Sequence, residues 1–119
     1  MRIQLSHEDA PPRLERVQVL PYPDLKRLWV RIQISPFARY PDLDIRILGP
    51  DGNEAAEMYV VENRETYLSL TLHLSAPIPG ARYLARVTLQ RGHETVELLD
   101  TKETPFDLVF VEPEDGARP

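Results

Sequence analysis

Residues 66–74, TYLSLTLHL, alternate without a break: Leu68, Leu70, Leu72 and Leu74 fall on one side, Tyr67, Ser69, Thr71 and His73 on the other. A repeat of two is the signature of a β-strand with one dry and one wet face; on a helix the same leucines would spiral around the axis. The pattern returns along the chain. Arg13 to Leu20 carries Val17 and Val19 in phase, and Lys26 to Ile34 sets Leu28, Val30, Ile32 and Ile34 against Trp29, Arg31 and Gln33. Asp42 to Leu48 does the same with Leu43, Ile45 and Ile47. Ala55 to Val61, the run after Arg82, Thr95 to Leu99 and Phe106 to Val111 complete the set. No ten-residue stretch shows a period of 3.6. The 12 prolines lie mostly between the runs, where a β protein tolerates them. Strict alternation in seven or eight short strands predicts an all-β fold, antiparallel sheets packed face to face as a sandwich.

The stretch LSAPIPGARYLARVTL, Leu74 to Leu89, adds a stiff corner, a tyrosine at its exit and a strand straight after. It resembles the passage into the sixth strand of fibronectin type III domains, within the wider immunoglobulin-like class. Leu74 matches the leucine that ends the preceding strand, Pro79 and Gly80 the turn, Tyr83 the tyrosine and Val87 the inward core residue. The resemblance implies that Tyr83 faces the core and that its hydroxyl bonds to backbone of the corner, Ala76 to Gly80. An inward tryptophan on the second strand has no counterpart, because Trp29 is out of phase with Leu28 and Val30, and the Cys…Trp…Cys pattern of immunoglobulin domains is absent. The resemblance implies an architecture. It implies no function, since this sandwich carries adhesive, signalling and purely structural roles.

A chain of 119 residues suits one domain, read here as 13–112, with 1–12 and 113–119 as mobile ends and PFARYP as a further soft spot. A hydrophobic content of 42% and a charged content of 28% describe an ordinary globular protein. The net charge of -5 argues against nucleic acid, whose phosphates call for a basic field. There is no cysteine, so neither a disulfide nor a thiolate site is available. The first residues lack the apolar region of a signal peptide, and no run approaches the roughly 20 apolar residues of a membrane helix. The expectation is a cytoplasmic protein with no membrane contact.

Chemistry-bearing residues do not converge in the sequence. His7, His73 and His93 stand far apart, with no metal-ligand spacing. Asp42 and Asp44 share a strand face, roughly 7 Å apart at a rise of about 3.3 Å per residue. Asp51, Asn53 and Glu54 follow, but a Pro-Asp-Gly hairpin turn explains them without calcium. Ser6, Ser35, Ser69 and Ser75 have no nucleophile-elbow context, and the five glycines form no phosphate loop. The expectation is a protein without cofactor, metal or catalytic activity.

Surface composition is more informative. In an immunoglobulin-like topology the second and fifth strands are neighbours, so Trp29, Arg31, Tyr67 and His73 share an outward face. An aromatic beside an arginine on a half-polar sheet is a composition enriched at protein interfaces, and the same rings can stack on sugars. Equally, a terminal segment such as residues 1–5 could lie over Trp29. The other sheet would present Asp44, Arg46, Arg82, Arg86 and Glu97 with Tyr59, Leu84 and Leu99, a solvated face or a weak dimer contact. The leading functional expectation is a non-catalytic module that binds a protein partner or itself, as a homodimer. The alternatives are a carbohydrate-binding or adhesive module and, behind it, a small metal-dependent enzyme.

Overall fold

Seven strands build two antiparallel sheets in a computed structural model that describes residues 11–119. The strands are β1 (Leu14–Pro21), β2 (Arg27–Ile34), β3 (Asp42–Leu48), β4 (Glu54–Val60), β5 (Tyr67–His73), β6 (Arg82–Arg91) and β7 (Glu97–Asp107). One sheet has the order β1-β2-β5, the other β4-β3-β6-β7. Three strands facing four, with the second beside the fifth and the third beside the sixth, is the immunoglobulin-like sandwich of fibronectin type III type. No helix occurs among the described residues, and so none long and apolar enough to cross a membrane. The segment 1–12 expected to be mobile lies, up to residue 10, outside the described residues, as do His7, Ser6 and the proposed cover by residues 1–5.

The alternation decides the register. Val30 pairs with Val19 on one side and Leu70 on the other, while Ile45 pairs with Met58 and Val87. A slip of one residue would turn these side chains to water, which pins every strand in place. Leu28, Val30, Ile32, Leu43, Ile45, Ile47, Val87 and Leu89 are fully buried between the sheets. Each contributes about 1.5–3 kcal/mol of hydrophobic stabilisation relative to exposure.

The last strand departs from expectation. Thr95–Leu99 and Phe106–Val111 were expected as two strands split by DTKET. They are one continuous strand up to Asp107, with an irregularity opposite Leu89 and Gln90. The inward positions of β7 read Asp100, Lys102, Thr104 and Phe106 because this strand borders the open edge of the sandwich next to β1. Polar side chains are tolerated there, and Asp100 accepts a hydrogen bond from the Leu14 amide at 2.8 Å. The β6–β7 turn needs its glycine. Gly92 has φ +103°, and a Cβ on it would run into the Thr95 carbonyl.

Candidate functional site

The outer face of the three-stranded sheet is not bare. Beyond β7, Leu108 is fully buried and extends the ladder with two bonds: its amide donates to the Ala81 carbonyl (2.9 Å), and its carbonyl accepts from the Gly80 amide (2.8 Å). From Phe110 onward the chain crosses the face of the other sheet. It makes no backbone hydrogen bond to any strand among the described residues. Asp115 reaches the Arg31 guanidinium at 2.9 Å. Asp115, within the segment 113–119 expected as a mobile end, thus lies against β2.

Trp29 lies beneath this segment, 4% exposed. Its indole N–H donates to Ser69 Oγ at 2.7 Å, and the Arg31 guanidinium lies 4.8 Å from its ring centroid, in cation–π range. Arg31 also donates to the Tyr67 hydroxyl (3.0 Å) and the Gln18 amide oxygen (3.3 Å). Arg31 is therefore a hub that joins β1, β2, β5 and the C-terminal segment. Tyr67 is 47% exposed beside it, and His73 is exposed at the far end of β5. The four residues expected on one face do share it, but Trp29 is not a free platform. Among the described residues, the C-terminal segment lies beside it.

Between that segment and β1–β2 remains an apolar cleft of about 280 Å³. Its walls include Tyr22, Pro23, Trp29, Phe110 and Pro113, with Glu112 and Arg118 at the rim paired at 3.1 Å. Arg27 lies over the Tyr22 ring at 4.1 Å, and the Tyr22 hydroxyl meets Thr71 Oγ1 at 3.0 Å. The sequence held a trace of this cleft in the apolar run Val109–Val111 followed by Pro113 and Asp115. Those residues follow no period, so alternation does not reveal where they pack.

The opposite sheet is open and charged. Arg46 bridges Asp44 and Glu54 (both 2.9 Å), Arg86 pairs with Glu103 (2.7 Å), and Arg82 with Asp107 (3.3 Å). Asp44 and Glu54 hold the Arg46 guanidinium firmly protonated. Asp42, expected as half of a carboxylate pair, is buried and accepts from the Glu62 amide (2.7 Å) and the Tyr59 hydroxyl (3.2 Å). These partners leave the two carboxylates no shared vacant site. His73 and His93 are both exposed, and no group of three or more His, Asp or Glu that could hold a metal ion occurs among the described residues.

At the corner, Tyr83 is 2% exposed and its ring stacks on Phe106, with centroids 5.7 Å apart. Its oxygen accepts the Ile78 amide at 3.0 Å. The bond to the backbone of the corner expected from the sequence is present, and it runs from an amide to the phenol oxygen. Gly80 has φ +82°, and Ala76 is held at φ +46°, a sparsely populated region for alanine. A second cleft, of about 260 Å³, opens between this corner and the β3–β4 hairpin.

The geometry defines a small immunoglobulin-like sandwich with two surface clefts. Solved structures share this fold. Bifidobacterium dentium β-glucuronidase matches with a TM-score of 0.61 at 16% identity, over 82% of this chain and 18% of that one. Parabacteroides merdae β-glucuronidase matches with a TM-score of 0.60 at 14% identity, over 82% of this chain and 13% of its own. A glycosyl hydrolase family 2 member from Bacteroides cellulosilyticus gives 0.55 at 14% identity, over 82% and 15%. This chain therefore spans less than a fifth of the length of each of these proteins, and at such identities the likeness is one of fold. No family model matches the chain, and no curated protein matches it in sequence.

Proposed function

We propose that the chain is a non-catalytic β-sandwich module that binds carbohydrate, and that the cleft beside Trp29 is where it does so. The observation that carries this reading is the lining of that cleft. Tyr22, Trp29, Phe110 and Pro113 supply apolar walls of the kind on which sugar C–H faces pack, while Glu112 and Arg118 at the rim can exchange their exposed mutual pair for sugar hydroxyls. A volume of about 280 Å³ is near the lower end of small-ligand sites, which suits one or two rings. The likeness in fold to segments of β-glucuronidases supports the carbohydrate reading over self-association. Trp29 is the only tryptophan, so intrinsic fluorescence reports on this cleft alone. Titration with a panel of neutral and acidic oligosaccharides should shift or quench its emission in a saturable way, and Phe110→Ala should weaken that response. A flat response across the panel would end the reading.

A protein partner is the second reading. It is favoured by Val109, Phe110 and Val111, which are 43–61% exposed in sequence along the C-terminal segment. Three consecutive exposed apolar residues are more than a lone surface hydrophobe needs to explain. Substituting Val109, which lies outside the lining of the cleft, with aspartate should then weaken association with the partner while leaving any sugar response of Trp29 intact.

A further inference from the structure

The second cleft holds a half-used buried hydroxyl. Tyr83 Oη accepts from the Ile78 amide, but a phenol also donates, and among the described residues it makes no hydrogen bond as a donor. The side chain is buried to all but 2% and lines the cleft of about 260 Å³ between the β3–β4 hairpin and the β5–β6 corner. An unsatisfied buried donor is expensive, so an acceptor belongs there.

The other groups lining the cleft limit what that acceptor can be. Asp51 and Glu54 bring two carboxylates. Asp51 is held ionised, its pKa lowered first by the Asn53 amide and then by the Asn53 side chain. Glu54 is drawn to Arg46 on the outer face of the sheet and keeps acceptor capacity on its free oxygen. Two negative charges repel a phosphate, sulfate or uronate. An ammonium would suit the carboxylates but has no lone pair for the Tyr83 proton. A hydroxyl satisfies both demands, accepting from Tyr83 while donating to a carboxylate or to Ser75, and a pair of neighbouring hydroxyls does so at two points.

We propose that this corner cleft is a binding site for neutral polyols, in particular an uncharged sugar ring engaged through adjacent hydroxyls. The site is separate from the cleft beside Trp29 and shares none of its lining residues. Its two carboxylates exclude charged sugars such as a uronate. Open to solvent and built around few contacts, it binds with a dissociation constant on the order of 1 mM.

The test is a titration of the full chain with methyl β-glucoside and, separately, with glucuronate, following the backbone amide resonances of Gly49, Ser75 and Ile78 by NMR. Saturable shifts with the glucoside, at least several-fold weaker with glucuronate, are expected. Tyr83→Phe should weaken the glucoside by about tenfold, the loss of one hydrogen bond to a buried partner. Should that variant unfold, Glu54→Gln at an exposed position serves instead and narrows the gap between glucoside and glucuronate. Unmoved amides through the millimolar range would overturn the proposal and leave the cleft to water. Equal binding of both sugars would overturn it as well. Trp29 emission is silent on this cleft, so success or failure here is read apart from the site proposed above.

Discussion

The two outer faces of the sandwich solve the same problem in opposite ways. Each carries an arginine at its centre, Arg31 on β2 and Arg46 on β3, and each arginine holds carboxylates. On the four-stranded sheet the carboxylates come from the same sheet, and the face stays wet. On the three-stranded sheet the carboxylate comes from Asp115, far along the chain, and brings with it a segment that lies beside a buried tryptophan. The difference follows from one residue. Asp44, Arg46, Arg86 and Thr88 are content in water; Trp29 is not, and leaving its roughly 150–250 Å² exposed forfeits several kcal/mol at about 25 cal/mol per Å². A charged face is complete when its strands pair, whereas an aromatic face needs a further layer.

The strongest way to break this contrast is Trp29→Ala. If the covered face behaves as core, the substitution costs about 3–5 kcal/mol, as for large-to-small changes at buried sites. Urea denaturation followed by circular dichroism measures it. A cost below about 1 kcal/mol would make Trp29 a surface residue in energetic terms and erase the distinction between the faces.

Removing residues 110–119 asks the same question from the other side. The strands and Leu108 remain, so the sandwich should stay folded, with stability lower by about 1.5–3 kcal/mol for one large side chain returned to water. Trp29 emission should move to the red, toward a solvated indole. Unchanged emission would mean that the segment does not cover Trp29 in solution.

How much of this could be read from the chain follows from the kind of signal each feature leaves. β2, β3, β5 and β6 were legible because their inward residues repeat every second position and are bounded by Pro, Gly and Asp. β7 was not, because a strand at the open edge of a sandwich has no dry face over Asp100–Thr104 and so no alternation to detect. Tyr83 was placed by its spacing from Gly80, yet the sense of its hydrogen bond was not, since a phenol both accepts and donates. The outward phase of Trp29 was plain in LWVRIQI. The segment beside it was not, because Phe110 and Pro113 share a cleft with Trp29, and Asp115 meets Arg31, through contacts set by the path of a loop, which no periodicity encodes.

On the open face a smaller effect is expected. Arg86 and Glu103 are paired across β6 and β7 at 2.7 Å, with side chains 41% and 47% exposed. A double-mutant cycle with Arg86→Ala and Glu103→Ala should return a coupling of about 0.2–1 kcal/mol, reduced by salt. A coupling above about 2 kcal/mol would show that the wet face also carries stability and that the two faces differ less than their burial suggests.

The finest probe of the contrast is the pH response of the clasp. The Ala117 amide, and after it Arg31, hold the Asp115 carboxyl below its ordinary value. A carboxyl lowered on folding contributes fully above its unfolded value, about 3.9, and its contribution is lost as pH falls through the folded value. The C-terminal segment should therefore loosen only in acid, below about pH 4, and Trp29 emission should begin to shift to the red there while the circular dichroism of the strands is still intact. Glu112, paired with Arg118, is a second carboxylate in the same segment, so the two must be separated. Asp115→Asn does this, because the amide oxygen can still accept from Ala117 while the charge facing Arg31 is gone. That variant should show a partly red-shifted emission already at neutral pH and a weaker acid-induced change. An acid response identical to that of the parent would assign the loosening to the molecule outside the Asp115–Arg31 pair and would release Arg31 from its role as the anchor of the covered face.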